Sequence, residues 1–270
     1  MRVVPVAAAM IGATLSAAPA AAQFGLDAPA EARLLAGWEA APGTRIAALE
    51  IALDPGWKTY WRAPGEAGIP PLFDWSASRN LADIEIEWPA PELFDSFGLA
   101  TLGYGGRVVL PLVARAEDPT DPIRLALTLD YGVCAEICVP ARADLVLDIP
   151  PGAPEEARGA IEAARERRPL SAEEAGVASA SCDLRGAGAE RAVSAEIAFA
   201  APPVEAPFVV VEGPEPVWIG AASAALTGSV LRAEAPAVLP DPQGWIARDA
   251  LTLTLIGRGW AAEIPGCDAG

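Results

Sequence analysis

Residues 123–149 read IRLALTLDYGVCAEICVPARADLVLDI and contain two apolar alternations separated by a pair of cysteines. In residues 123–131 every second side chain is Ile, Leu or Tyr, and in residues 145–149 every second side chain is Leu or Ile. A period of two is expected of a strand that buries one face. The stretch therefore predicts two β-strands, with Cys134 and Cys138 in the segment between them.

The same pattern recurs through residues 44–149. The strand-like RIAALEIAL ends at Asp-Pro-Gly, residues 54–56, which is a turn signal, and WKTYWR follows at the distance of a β-hairpin. In IEIEW, residues 84–88, apolar and acidic side chains fall on opposite faces. Short strands joined by turns, with no helical segment between them, predict an antiparallel β-sandwich.

Residues 154–168, PEEARGAIEAARERR, break the β pattern. Their apolar side chains follow helical spacing, Pro154 and the two glutamates after it suit a first helical turn, and the closing arginines suit a last turn. We therefore predict a linker helix that Pro169 ends. From about residue 180 the β pattern returns, for example in alternating Val193, Ala195, Ile197 and Phe199.

The predicted fold is thus all-β: a β-sandwich in residues 23–150, a linker helix in 151–175 and a second small β-rich domain in 176–270. Residues 1–22 have one basic residue, an apolar run and small residues before Gln23, which predicts a secretory signal peptide. The run is too short for a membrane span, and no later segment approaches about 18 consecutive apolar residues. We expect an exported, periplasmic protein that is not inserted in a membrane after signal removal.

Composition excludes several classes of function. A formal net charge of −17 and a pI near 4.4 argue against nucleic acid and anionic lipid as partners. The chain contains no histidine, so Ser-His-Asp and Cys-His catalysis are excluded and the commonest metal ligand is missing. No cofactor and no metal site are predicted.

The cysteine pair constrains the local backbone. A disulfide requires Cα atoms roughly 4.4 to 6.8 Å apart, whereas four residues of extended strand span about 13 Å. If Cys134 and Cys138 are to pair, the chain must leave the preceding strand and turn. Gly132 and Pro140, on either side of the pair, are the residues expected to permit that turn.

Three interpretations of the pair remain open from spacing alone: a redox pair, a structural staple and part of a metal site. Closing a loop of about 5 residues is worth roughly 2 kcal/mol, whereas closing the loop from Cys182 to Cys267, about 86 residues, is worth roughly 4.6 kcal/mol. A short loop is therefore a poor staple and is typical of labile or catalytic disulfides. Two thiolates supply only half of a tetrahedral metal site, and we expect Cys182 and Cys267 to form a structural disulfide with each other.

Three segments resemble a known family. LTLDYGVCAEICVPARADLVLDI, preceded by GWKTYWRAPGEAG and FDSFGLATLGYGGRVVLPL, is similar to the N-terminal periplasmic domain of the thiol:disulfide interchange protein DsbD and its ScsB relatives. The resemblance covers roughly residues 35–150. It implies an immunoglobulin-like sandwich in which the two cysteines alternate between dithiol and disulfide.

The resemblance also assigns residue roles. Cys138 would link to partner proteins and Cys134 would resolve the mixed disulfide. Phe94 or Phe97 would cap the pair, with ordinary packing in the core an equal alternative for both. Tyr60 would line the site, although packing in the core is the simpler interpretation of this residue. The implied partners are periplasmic thioredoxin-like or disulfide-isomerase-type proteins.

The implied electron source is a separate membrane protein, because the sequence contains neither a membrane span after the signal nor a thioredoxin-type Cys-x-x-Cys. Two other functions remain alternatives: a β-sandwich binding or assembly protein with purely structural disulfides, and periplasmic copper handling.

The thiols of the reduced pair are predicted to have ordinary or raised pKa values. Glu136 lies between the cysteines, the protein is strongly acidic, and the basic residue closest in sequence is Arg142. A thiolate without a nearby positive charge is not stabilised, so we expect pKa values at or above about 8.5.

Overall fold

The computed structural model describes residues 29–96 and 98–270. The predicted signal peptide, residues 1–22, lies outside the described residues. The first ten strands are β1 (Ala30–Ala41), β2 (Thr44–Leu53), β3 (Lys58–Gly65), β4 (Leu72–Asp74), β5 (Asp83–Ile86), β6 (Glu92–Ser96), β7 (Leu99–Gly105), β8 (Arg107–Arg115), β9 (Ile123–Cys134) and β10 (Cys138–Ile149). They are followed by the helix α1 (Arg158–Glu166).

The remaining elements are again strands, apart from one short 3₁₀ helix at Arg248–Ala250. They are β11 (Leu170–Ser171), β12 (Val177–Gly186), β13 (Glu190–Phe199), β14 (Phe208–Glu212), β15 (Trp218–Ile219), β16 (Ser223–Thr227), β17 (Val230–Val238), β18 (Thr252–Gly257), β19 (Trp260–Pro265) and β20 (Asp268–Ala269). The predicted all-β fold with one helix between two β units is confirmed.

Strands β1–β10 form a sandwich of two antiparallel sheets. One sheet has the order β1-β2-β8-β5, and the other has the order β10-β9-β3-β7-β6, with β4 also paired to β9. Buried side chains from both sheets, among them Leu49, Trp61, Leu112 and Leu127, fill the space between them. The alternation that predicted β9 is observed, since its odd-numbered residues from Ile123 onward are buried.

The turn at residues 54–56 joins the two sheets and does not form a hairpin. The Trp57 amide donates to the Asp54 carbonyl at 3.0 Å, and Gly56 has a φ of 84°, as the turn signal predicts. However, β2 pairs with β1 and β8, whereas β3 pairs with β7 and β9. Both strands bury large apolar side chains against the same core, so the chain crosses between the layers at this turn.

The helix begins later than predicted, at Arg158 instead of Pro154. Ala157 at its N-terminal boundary has a φ of 54°, which is left-handed and interrupts helical geometry. The segment before it is held by Arg45, a buried side chain that donates to the carbonyls of Ala153 and Pro154 at 3.3 and 3.1 Å. The two glutamates expected in the first turn therefore precede the helix.

The helix packs on the first sandwich. Its buried residues Ile161 and Ala164 contact a cluster on the outer face of the β1-β2-β8-β5 sheet that includes Trp38 and Val109. The predicted linker, residues 151–175, thus contains a docked helix and also β11, which pairs with β19 of the second sandwich.

The second sandwich has sheets of order β11-β19-β18-β14 and β15-β17-β13-β12-β20, with β16 also paired to β17. A disulfide between Cys182 and Cys267, whose Cα atoms are 5.7 Å apart, ties the residue before β20 to β12. This is the pairing that we expected for these two cysteines. No helix in the described part of the chain is long and apolar enough to cross a membrane.

The two sandwiches contact each other directly. Ile256 and Ala261 of the second sandwich belong to the same buried cluster as the core of the first. Across this contact, Arg62 of β3 donates to Glu212 at 2.8 Å and to Glu263 at 2.6 Å. The second sandwich is therefore attached to β3, the strand that also carries Tyr60.

Candidate thiol–disulfide site

Cys134 and Cys138 form a disulfide at the end of a β-hairpin. Cys134 is the last residue of β9, Cys138 is the first residue of β10, and the two are register partners with Cα atoms 4.1 Å apart. Residues 135–137 form the turn, within which the Ala135 amide donates to the Ile137 carbonyl at 3.1 Å. The chain does turn between the cysteines, but the strand continues up to Cys134 before it does so.

Gly132 and Pro140 do not make this turn, contrary to our expectation. They are register partners inside the hairpin. A Cβ at position 132 would lie 2.8 Å from Cβ of Ile69 and 3.0 Å from two ring carbons of Tyr60. Glycine is therefore required at position 132 because the Tyr60 ring packs directly on the backbone of β9.

The Tyr60 ring occupies a narrow slot with the disulfide at its end. A Cβ at Gly68 would lie 2.9 Å from ring carbon Cδ1, on the opposite edge from Gly132, and the residue is 3% exposed. Its hydroxyl donates to Cys134 Sγ at 2.7 Å and lies 3.3 Å from Cys138 Sγ. Burial raises the pKa of Tyr60, so the hydroxyl keeps its proton and remains a donor.

The two sulfur-bearing residues differ strongly in exposure. Cys134 is 2% exposed, whereas Cys138 is exposed and its neighbour Ile137 is 66% exposed. A thiolate from solution or from a docked protein can reach Cys138, while Cys134 lies under Tyr60. The arrangement thus has one accessible and one shielded sulfur.

Lys58 is a neighbour of the pair that the sequence reasoning missed. It is the direct cross-strand partner of Cys134 in the β3–β9 pairing. Our expectation considered only residues near in sequence, and the residue it named, Arg142, is engaged in ion pairs with Asp130 and Asp144. A compositional signal was available, because Lys58 is the only lysine in the chain and all other basic residues are arginines.

The Lys58 ammonium connects the site to the β6–β7 hairpin. Its Nζ donates to Ser96 Oγ at 2.7 Å and lies 5.0 Å from the centre of the Phe94 ring. Ser96 Oγ is also within 2.8 Å of Thr101 Oγ1, across the hairpin. Burial lowers the pKa of Lys58, and the nearby carboxylate of Asp95 partly opposes this effect.

Of the two predicted capping residues, Phe94 contacts Lys58, the cross-strand partner of Cys134. Phe94 is half-buried in β6 and reaches the site through its contact with Lys58. Phe97 lies outside the described residues.

All four cysteines lie in the described part of the chain, and they form two disulfides, Cys134–Cys138 and Cys182–Cys267. Within the described ranges, there is no group of three or more His, Cys, Asp or Glu residues that could hold a metal ion. Cys182 is 1% exposed in the second sandwich, remote in sequence from the first pair. In the oxidised state, this site is suited to thiol–disulfide chemistry at Cys138.

Comparison with known proteins agrees with the geometry. Residues 31–150 match the family described as thiol:disulfide interchange protein DsbD, N-terminal. The whole fold is similar to the crystal structure of the N-terminal periplasmic domain of ScsB from Proteus mirabilis, with a TM-score of 0.68, 24% sequence identity, and 89% of this chain and 94% of that chain covered. No curated protein matches the chain. The first sandwich is therefore similar, over residues 31–150, to the N-terminal domain of the thiol:disulfide interchange protein DsbD, and the whole chain shares the fold of the ScsB domain.

Proposed function

We propose that this protein carries out thiol:disulfide interchange through Cys134 and Cys138, exchanging electrons with thioredoxin-like or disulfide-isomerase-type proteins outside the cytosol. The observation that carries the proposal is the asymmetry of the disulfide: Cys138 is exposed, while Cys134 is 2% exposed beneath a hydroxyl donor. A purely structural disulfide needs neither feature.

The exposed sulfur is the proposed point of attack. A partner thiolate forms a bond to Cys138 Sγ as the bond between Cys138 and Cys134 breaks, and the electron pair of that bond remains on Cys134 Sγ as a thiolate. The Tyr60 hydroxyl, already 2.7 Å from this sulfur, stabilises the charge by hydrogen bonding. In the reverse direction the Cys134 thiolate attacks Cys138 Sγ and expels the partner.

The residues around the pair have supporting roles in this proposal. Phe94 and Phe97 are the candidate caps that shield the sulfurs until a partner docks. Support for Phe94 comes from the shared contact with Lys58, which links β6 to the strand opposite Cys134. The disulfide between Cys182 and Cys267 is proposed to be structural, since it closes a long loop and Cys182 is buried.

The proposed location is the periplasm, after removal of the predicted signal peptide. The matched family and the matched ScsB domain support an extracytoplasmic setting, in which exchange with exported proteins is possible. The electrons are proposed to come from a separate membrane protein.

The test is the redox equilibrium of the purified mature protein across a glutathione series. Thiol alkylation followed by mass measurement reports each cysteine pair in the wild type and in Cys138→Ser. We expect reversible exchange of Cys134 with Cys138 while Cys182 and Cys267 stay paired.

If neither pair is reduced until the protein unfolds, both disulfides are structural staples and the proposal fails. Stoichiometric copper binding that is lost in Cys134→Ser would instead favour metal handling.

A further inference from the structure

The strand pairing places the only lysine of the chain beside the shielded cysteine. We propose that Lys58 is the charge partner of the Cys134 thiolate, holding the negative charge that appears on this sulfur when the disulfide opens. The inference rests on the thiol–disulfide exchange proposed above and adds a residue to it.

Geometry places the groups involved on one face of the sheet. Lys58, Cys134 and Cys138 form a row across β3, β9 and β10, because each is the register partner of the next. Directly opposite residues in antiparallel strands have Cβ atoms about 4.5 to 5.5 Å apart. Tyr60 is two residues from Lys58 on the same face, and its hydroxyl contacts Cys134 Sγ. The flexible lysine stem can therefore bring Nζ to the same sulfur.

In the disulfide state, the hydrogen bond that Lys58 makes does not neutralise its positive charge. In the disulfide state its ammonium donates to a neutral hydroxyl, Ser96 Oγ, at 2.7 Å, and burial lowers the pKa of Lys58. A half-buried ammonium whose hydrogen-bond acceptor is neutral is stabilised when an anion forms nearby. By contrast, Arg142 on β10 is already paired with two aspartates.

The choice of lysine in a chain that otherwise uses arginine also has a physical reason. An ammonium is a compact point charge on a flexible stem, and it can exchange one partner for another by rotation of that stem. A guanidinium is a rigid planar fork that matches carboxylates. A sulfur atom offers a single anionic centre, to which the ammonium is better matched.

The exchange step remains balanced with Lys58 in this role. The incoming thiolate bonds to Cys138 Sγ, the disulfide breaks, and the electron pair stays on Cys134 Sγ. Lys58 keeps its proton throughout and moves from Ser96 Oγ toward the new thiolate. No additional oxidant or reductant takes part.

Four other titratable groups face the same region. Tyr60 donates to Cys134 from β3, Cys138 lies beside it on β10, Asp95 acts on Lys58 from β6, and Glu136 lies in the turn. Hydrogen bonding from Tyr60 favours a thiolate at Cys134, whereas burial and nearby carboxylates disfavour one. The effect of Lys58 is therefore measured as the change in the pKa of the Cys134 thiol when the lysine charge is removed, and not as the absolute value of that pKa.

The experiment measures the pKa of Cys134 in Cys138→Ser, in which Cys134 is the one thiol left when Cys182 and Cys267 remain paired. Ultraviolet absorbance of the thiolate is followed against pH in this background and after adding Lys58→Met, Lys58→Gln or Lys58→Arg. Loss of the charge in Lys58→Met or Lys58→Gln is expected to raise the pKa of the Cys134 thiol by about one unit or more, which is a tenfold loss of thiolate at pH values below that pKa. Lys58→Arg keeps the charge, so its thiol pKa is expected to stay close to that of the Cys138→Ser background.

Arg142→Met is the matched control, because it removes an arginine from the same sheet face that already has carboxylate partners. It is expected to change the thiol pKa by less than about 0.3 unit. If both neutral Lys58 variants fold, as judged by circular dichroism, and leave the thiol pKa within that range, Lys58 is not the charge partner. If neither folds, Lys58→Arg decides the question: a thiol pKa raised by about one unit or more in this variant, which keeps the positive charge, also overturns the proposal.

This titration is independent of the proposed function. Failure of the Cys134–Cys138 disulfide to exchange with glutathione would refute the function while leaving the measured effect of Lys58 on the thiol unchanged.

Discussion

Removal of the Tyr60 hydroxyl is predicted to destabilise the Cys134 thiolate. In Tyr60→Phe the ring that fills the slot between Gly68 and Gly132 is retained, and only the donor 2.7 Å from Cys134 Sγ is lost. Tyr60 is 3% exposed, so water cannot readily take the place of the hydroxyl.

The magnitude follows from the charge on the acceptor. A hydrogen bond to a charged group contributes about 1.5 to 3 kcal/mol, and one pKa unit corresponds to about 1.4 kcal/mol. We therefore expect the pKa of the Cys134 thiol to rise by about one to two units in Tyr60→Phe. Because burial raises the pKa of Tyr60 above its ordinary value, the wild-type hydroxyl is still a donor at the pH at which the thiol titrates.

The assay combines thiol titration with redox equilibrium. At a pH above the thiol pKa of both proteins, the reduced form of the variant is disfavoured by about tenfold to a hundredfold, which lowers the reduction potential by about 30 to 60 mV. Tyr131→Phe is the matched control, because Tyr131 lies in β9 but is buried in the core between the sheets. An unchanged thiol pKa in Tyr60→Phe, or an equal shift in Tyr131→Phe, would show that the Tyr60 hydroxyl does not stabilise the thiolate.

Three further outcomes are expected. Gly132→Ala places a methyl group against the Tyr60 ring and should lower the free energy of unfolding by about 1 to 3 kcal/mol in urea titrations, whereas Gly105→Ala, which meets no atom within 4 Å, should not show this clash. Arg62→Met leaves two half-buried glutamates unpaired and should destabilise the protein by about 1 to 3 kcal/mol, whereas Arg258→Met, at an 89% exposed side chain, should change stability by less than about 0.5 kcal/mol. Arg168 and the turn at Ser171 lower the pKa of Glu174 to about 2, so its contribution to stability should be present above about pH 4.5 and be lost as the pH falls toward 2. In Arg168→Ala, carboxyl NMR titration should show this pKa raised but still below the ordinary value, because the hydrogen bonds from Ser171 remain.

The strands were predictable because alternation is a local property. In β9 and β13 the large apolar side chains alternate and occupy the buried face, and a period of two needs no knowledge of the partner strand. The sequence could not show which strands pair. Residues 54–56 form a tight turn, yet β2 and β3 on either side of it lie in different sheets, because pairing depends on the whole set of strands that share the core.

The helix illustrates a second limit. Its buried side chains Ile161 and Ala164 follow the predicted spacing, but its first turn starts four residues later than expected. The reason is distant in sequence, since the buried guanidinium of Arg45 in β2 holds the carbonyls of Ala153 and Pro154. A pattern of apolar residues cannot predict that a distant side chain will bind the backbone carbonyls at the start of a helix.

The strand-rich fold, the helix between two β units and the possibility of a short disulfide follow from the amino-acid sequence, since each depends on residues close together along the chain. The environment of that disulfide depends on the three-dimensional fold. The exposure of Cys138, the burial of Cys134 under Tyr60, the need for glycine at position 132 and the placement of Lys58 opposite Cys134 all arise from strand pairing across long separations in sequence. The reactivity of a thiol depends on charges and donors within a few ångströms, and those neighbours are brought together by the fold.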